Sequence, residues 1–218
     1  SKQADGGGTQ VLGLPHPVEE YLDRRGYLFS SIQEERDQAK VLYALNLDFH
    51  RQTVRKPVVV IPTYNCNMRC IYCWQRVYNM DSGVMTVNIA DALHDCLPQF
   101  INVEEPERID FIVFGGEPLQ DESFLTECVL HLLRQGHESG YSTKIISNGI
   151  GLAPQVTKLK GLLDVIQITI DGPEEVHRSR RRLPNGENSF SPVVEGISRA
   201  AEAGIRVNIR INIDDANL

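Results

Sequence analysis

Apolar runs of strand length alternate with stretches of helical spacing along most of this chain. The strand-length runs lie at 57–61, 109–114, 143–146, 165–170 and 205–211. Between them, a 3.6-residue periodicity predicts helices over 86–97, 122–135, 155–163 and 192–203, the second with Asp121 as N-cap and the last closed by Gly204. Strands alternating with helices imply βαβ units and a parallel sheet with right-handed crossovers. The beginning of the chain reads differently. Residues 18–25 and 33–47 carry helical spacing and dense charge, separated by Gly26-Tyr-Leu-Phe29, so a mainly helical lead-in with room for one short strand is expected over 1–56. The α/β part then runs over 57–218, with five strands visible and Leu218 falling where a fifth helix would begin.

Composition narrows the function classes. At 218 residues, 41% hydrophobic and 23% charged, the chain is ordinary for a globular protein. It has no apolar run near the ~18 residues that a membrane span needs. The polar, Gly-rich start resembles neither a signal nor a transit peptide, and Ser1 in place of Met reads as a processed or engineered end. The net charge of −7, with no basic block longer than Arg180-Arg181-Arg182, sets nucleic acid aside as a partner. Five cysteines, an odd count, argue against a disulfide framework and for a reducing cytoplasm with a metal site.

In parallel α/β proteins the site is built at the C-terminal ends of the strands. There the first strand delivers Thr63-Tyr-Asn-Cys66-Asn-Met-Arg-Cys70-Ile-Tyr-Cys73-Trp74, a C-x3-C-x2-C loop. Three thiolates hold three corners of a metal assembly. A structural zinc wants a fourth Cys or His, which this loop lacks, whereas a [4Fe–4S] cluster held by three cysteines keeps one iron open for a small molecule. A zinc knuckle with a remote fourth ligand and chance clustering are the alternatives. Cys96 and Cys128 fall on predicted helices at non-ligand spacing and are expected in the core.

The loop resembles the signature of radical S-adenosylmethionine enzymes. That resemblance implies that Cys66, Cys70 and Cys73 ligate a [4Fe–4S] cluster whose open iron is chelated by S-adenosylmethionine, with Tyr72 packing near the adenine. Later motifs match in the family's order. Gly115-Gly116-Glu117 follows the second strand, where the two glycines let the backbone approach a ligand and the carboxylate accepts from an ammonium. In the family this is the motif that binds the cofactor's amino group. Ser147-Asn148-Gly149 after the third strand resembles the element that faces the ribose. The run from Thr169 through Asp171-Gly-Pro173 to His177 and Arg181 resembles the Ser-Leu-Asp-Gly-Pro…His-Asp-x-x-Arg stretch of the peptide- and protein-modifying branch, with Thr for Ser and Arg178 for Asp. There the strand hydroxyl and the later arginine bind the cofactor, which maps to Thr169 and Arg181. Spacing alone selects Arg181 over Arg180.

The resemblance implies a partial (β/α)6 radical SAM barrel, an open doubly wound sheet being the alternative topology. It also implies reductive cleavage of S-adenosylmethionine and hydrogen abstraction from a peptide or protein side chain, as in SPASM-type maturases and anaerobic sulfatase-maturating enzymes. An external flavodoxin- or ferredoxin-like electron donor, a cytoplasmic location and no membrane partner go with that reading. The non-catalytic rivals are an iron–sulfur electron-transfer module and a structural zinc module. Because five strands cannot close a six-strand barrel, the segment is expected to belong to a longer chain. One face of the fifth strand (Ile205, Val207, Ile209, Ile211) reads as built for burial.

Overall fold

The computed structural model describes residues 15–53, 55–75, 83–101 and 104–215. The Gly-rich start and the last three residues, where a further helix was expected, lie outside them. The chain divides into two compact units, Ser1–Val54 and Arg55–Leu218. In the first, helices α1 (His16–Arg24) and α2 (Ile32–Thr53) are joined by a turn, and no strand forms at Gly26 to Phe29. The start of α2 is fixed by a variant of the capping box, in which the glutamate reaches the residue before the N-cap Ser31. Glu34 N donates to Ser31 Oγ at 3.1 Å, and the Glu34 carboxylate reaches back to Ser30 N at 2.7 Å.

The second unit is a five-stranded, wholly parallel sheet: β1 (Lys56–Val60), β2 (Ile109–Val113), β3 (Ser142–Ser147), β4 (Val165–Thr169) and β5 (Arg206–Arg210). Spatial order follows chain order, β1-β2-β3-β4-β5. A doubly wound sheet reverses order at a switch point, so the sequential order excludes that alternative and describes an open arc of a (β/α) barrel. The crossovers carry α3 (Val87–Cys96), α4 (Ser123–Glu138), α5 (Leu152–Leu159), and α6 (Glu174–Arg180) with α7 (Phe190–Glu202).

Alternate side chains of each strand turn toward the helices and form the core. Phe111, Ile145, Ile166 and Ile168 pack there with Leu125, Leu132, Leu152 and Val193. Gly136 of α4 packs closely at this layer, where a Cβ would stand 3.0 Å from the Phe111 ring and 3.2 Å from the Thr143 methyl. On the opposite face Asp110 is paired with both Lys144 and Arg55.

Three local expectations are corrected. Helix α4 is capped at Glu122, whose backbone is extended (φ −131°, ψ 122°), so Asp121 lies one residue too early to cap it. Helix α5 begins at Leu152 and ends at Leu159. Pro154 falls in its first turn, where a missing N–H leaves no intrahelical bond unmade, and Gly161 (φ +81°) turns the chain away. Helix α6 was not expected. It follows Pro173, with Glu174 and Glu175 at its N-terminal end and basic residues in its last turn, the arrangement its dipole favours. The face of β5 read as built for burial is graded: Ile205 is in the core and Val207 packs on it, but Ile209 and Ile211 are exposed. Among the described residues, β5 pairs with β4 alone. No described helix is long and apolar enough to cross a membrane.

Candidate active site

Parallel strands deliver all the expected site residues to one end of the sheet. The loop after β1 is held there by backbone. Gly116 N donates to Thr63 O (2.9 Å) and Glu117 N to Asn65 O (2.8 Å). A Cβ on Gly115 (φ +138°) would meet Thr63 O at 2.3 Å, and one on Gly116 would meet Asn65 O at 2.0 Å. The close approach these glycines permit is thus to the protein's own cysteine loop. On its other flank the loop is tied to the segment after β4, with Arg69 N donating to Arg182 O (2.7 Å) and Ile71 N to Arg180 O (2.9 Å).

Glu117 is wholly buried. Its carboxylate accepts from Leu119 N (2.8 Å), Ser147 Oγ (2.7 Å) and Asn148 N (2.6 Å), which ties the end of β2 to the end of β3. Burial pushes its pKa up from the ordinary value, opposed by these hydrogen bonds and by Arg181. Ser147 Oγ also accepts from Gly149 N at 2.9 Å. The Asn148 amide reaches the cysteine loop, donating to Asn67 Oδ1 at 2.7 Å and to Cys66 Sγ at 3.8 Å.

Tyr72 and Arg181 meet, Arg181 Nη1 donating to the phenol oxygen at 2.7 Å. The phenol in turn donates to Asp171, which is fully buried at the end of β4 and which the sequence offered only as part of a turn. Burial pushes the phenol up to about 12. Arg181 is itself buried, and its Nε has no hydrogen-bond partner. Its charge acts on Cys70, whose thiol is pushed up by burial and pulled down by the guanidinium. Burial likewise pushes the Cys66 thiol up to about 11. Thr169 is buried at the end of β4. Cys66, Cys70 and Cys73 are free thiols on one loop. Cys128 is in the core, but Cys96 is exposed, against expectation, because it sits on the outer side of the last turn of α3.

The profile of the Radical SAM superfamily matches residues 60–214, which take in all of these motifs. This chain belongs to the radical SAM superfamily. The family consists of enzymes that use a [4Fe–4S] cluster and S-adenosylmethionine. The chain is 26% identical over 169 residues to the Fe-coproporphyrin III synthase of Methanosarcina barkeri (strain Fusaro / DSM 804), covering 75% of this chain and 39% of that one. It is 24% identical over 166 residues to the serine-type anaerobic sulfatase-maturating enzyme of Bacteroides thetaiotaomicron (strain VPI-5482), covering 74% and 39%. Among solved structures it resembles native anSMEcpe with bound AdoMet and the Cp18Cys peptide, with a TM-score of 0.58, 21% identity, and coverage of 70% of this chain and 42% of that one. That likeness is one of fold. The radical SAM chain spans about two fifths of the length of these relatives.

The residues present fit the family's cofactors. Three free thiols on one loop would supply three of the protein ligands of a [4Fe–4S] cluster, one to each of three irons. The buried, unpartnered Nε of Arg181, whose guanidinium carries a full charge beside Cys70, is the kind of donor that a carboxylate satisfies.

Proposed function

We propose that this chain is the catalytic core of a radical SAM enzyme that acts on a peptide or protein side chain. In this reading Cys66, Cys70 and Cys73 hold the [4Fe–4S] cluster, and Tyr72, Gly115, Gly116, Glu117, Ser147, Asn148, Thr169 and Arg181 form the S-adenosylmethionine site. Bound together, the cluster and S-adenosylmethionine would, on receiving one electron from the external donor, supply hydrogen-atom abstraction, the sulfonium S–C5′ bond being cleaved with release of methionine.

The observation that carries the reading is the convergence of three free thiols, a buried carboxylate and a buried arginine at one end of a sequentially ordered parallel sheet. Arg181 orients a carboxylate. Glu117 is wholly buried with three donors on its two oxygens, and in this reading it shapes the S-adenosylmethionine site by tying the end of β2 to the end of β3. Gly115 and Gly116 hold that carboxylate against the cysteine loop. The Asn148 amide steadies Cys66. A peptide substrate is supported by the sulfatase-maturating relative and by the peptide bound in anSMEcpe. The external electron donor and the cytoplasmic setting belong to the same proposal.

Anaerobic reconstitution with iron and sulfide, followed by a low-potential reductant and S-adenosylmethionine, tests the chemistry. Formation of 5′-deoxyadenosine, absent in Cys70→Ala, supports the proposal. A protein loaded with four irons that forms none refutes it. A peptide library that raises 5′-deoxyadenosine formation above the substrate-free level tests the substrate class. Stimulation by a tetrapyrrole but by no peptide would overturn it in favour of the chemistry of the Fe-coproporphyrin relative.

A further inference from the structure

Of the neighbouring arginines at the end of α6, spacing singled out Arg181, and Arg180 was expected to matter little. The structure gives Arg180 a different place. Its side chain is buried, at 3% exposed. Nη1 and Nη2 make a two-pronged contact with the Asp214 carboxylate at 2.8 and 2.7 Å, and Nε lies 3.9 Å from Asp171 Oδ2. The guanidinium lies over the Tyr72 ring, 5.2 Å from its centroid, and the Arg180 carbonyl accepts from Ile71 N at 2.9 Å. The segment after β5 closes the arrangement from the other side. Asn212 N and Nδ2 donate to Asp171 Oδ1 at 3.0 and 3.1 Å, and Nδ2 also donates to the Tyr72 phenol at 3.1 Å.

We infer that Arg180 and Asp214 form a latch that fastens the segment after β5 onto the cysteine loop. It fixes the Tyr72 ring between cation and carboxylate, and so fixes where Arg181 and Cys73 stand. Arg180 is a positioning residue. It reaches the cofactor site only through Tyr72 and the loop backbone, while its neighbour Arg181 faces the thiols. A planar guanidinium suits the task because it can donate a fork to Asp214 and stack on a ring at once, which an ammonium cannot. The role assigned to the loop rests on the proposed function, whereas the latch itself is a property of the chain without cofactors.

The test is hydrogen exchange on the intact chain before reconstitution, followed through peptides covering 66–75 and, as a reference, 123–138. Asp214 is half exposed, so Asp214→Asn keeps shape and leaves the core intact. Exchange at 66–75 should rise about tenfold, the change that corresponds to about 1.4 kcal/mol of local stability, with 123–138 unchanged. Arg180→Lys should do the same, and Arg178→Lys, whose partner is the surface residue Glu174, should not. After reconstitution, Asp214→Asn should shift the electron paramagnetic resonance signal seen on adding S-adenosylmethionine, and Asp214→Glu should restore much of it. Unchanged exchange at 66–75 in Asp214→Asn, or an equal rise at 66–75 and 123–138, overturns the latch. Failure of the wild type to bind iron, with the exchange pattern as expected, overturns the proposed function and leaves the latch standing.

Discussion

The carboxamide of Asn148 bridges two residues of the cysteine loop, lying 2.7 Å from Asn67 Oδ1 and 3.8 Å from Cys66 Sγ. Asn148→Asp would replace that donor with a carboxylate facing an oxygen and a thiol. We expect folding to survive and the iron to be held less firmly, lost to a chelator about tenfold faster than in the wild type, as suits the loss of a hydrogen bond to a charged group. Equal chelator resistance in the two proteins would show that the amide does not steady Cys66.

The thiols divide into two classes. Cys66→Ala, Cys70→Ala and Cys73→Ala should each abolish iron loading and 5′-deoxyadenosine formation. Cys96→Ala should change neither, since that thiol is exposed. Cys128→Ala should keep both but lower stability by about 1 kcal/mol, because the side chain is in the core. Loss of the cluster in either of the last two variants would mean that the ligands have been misassigned.

Glu117→Gln brings a conflict inside the fold as well as at the cofactor. The carboxylate accepts from three donors on its two oxygens, and an amide group must turn NH2 toward at least one of them. A loss of about 1–3 kcal/mol is expected on thermal unfolding of the cofactor-free chain. Weaker S-adenosylmethionine binding should accompany it in the reconstituted protein. An unchanged melting temperature would be incompatible with the tie between β2 and β3.

His177 predicts a pH dependence. It is wholly buried with neither ring nitrogen hydrogen-bonded, and it packs edge-on against Phe190 with centroids 5.5 Å apart. Burial and the Arg181 charge push it from 6.5 down to about 4, with Asp171 opposing. A folded pKa below the unfolded one means that the unfolded chain takes up the proton first. Stability is therefore complete above the unfolded value and falls as pH drops from about 6.5 towards 4, by up to about 3 kcal/mol. His177→Leu should flatten this part of the stability–pH curve. Parallel curves for the two proteins would show that another group is responsible.

Much of the sheet and of the motif order was legible because it depends on neighbours in sequence. Apolar runs mark β1 to β5, and Cys66, Cys70 and Cys73 declare themselves by spacing. Asp171 and Arg180 were not legible, because what defines them is distant in the chain. Asp171 meets Tyr72, 99 residues earlier, and Asn212, 41 residues later, and Arg180 meets Asp214, 34 residues later. Nothing in an Asp-Gly-Pro turn announces that its carboxylate will be buried. Helix α6 was missed for the opposite reason. Its cue was local, a proline followed by two glutamates and later by basic residues, but seven residues are too few for a periodicity to show. Gly115 and Gly116 were read as letting the backbone approach a ligand; the close approach seen is to the chain's own carbonyls at Thr63 and Asn65, which needed the fold to be seen.

The backbone ties from Arg69 to Arg182 and from Ile71 to Arg180 also set an order of events during synthesis. A ribosome makes the three cysteines long before it makes the carbonyls that shape their loop. Chains fold from the N-terminus as they emerge, so the thiols leave the exit tunnel on a segment that has no partner for its amides. Only when α6 has been translated and docked can the loop take its final form. Until then the three thiols stand on a segment whose amides at Arg69 and Ile71 lack the carbonyls that hold them in the folded chain.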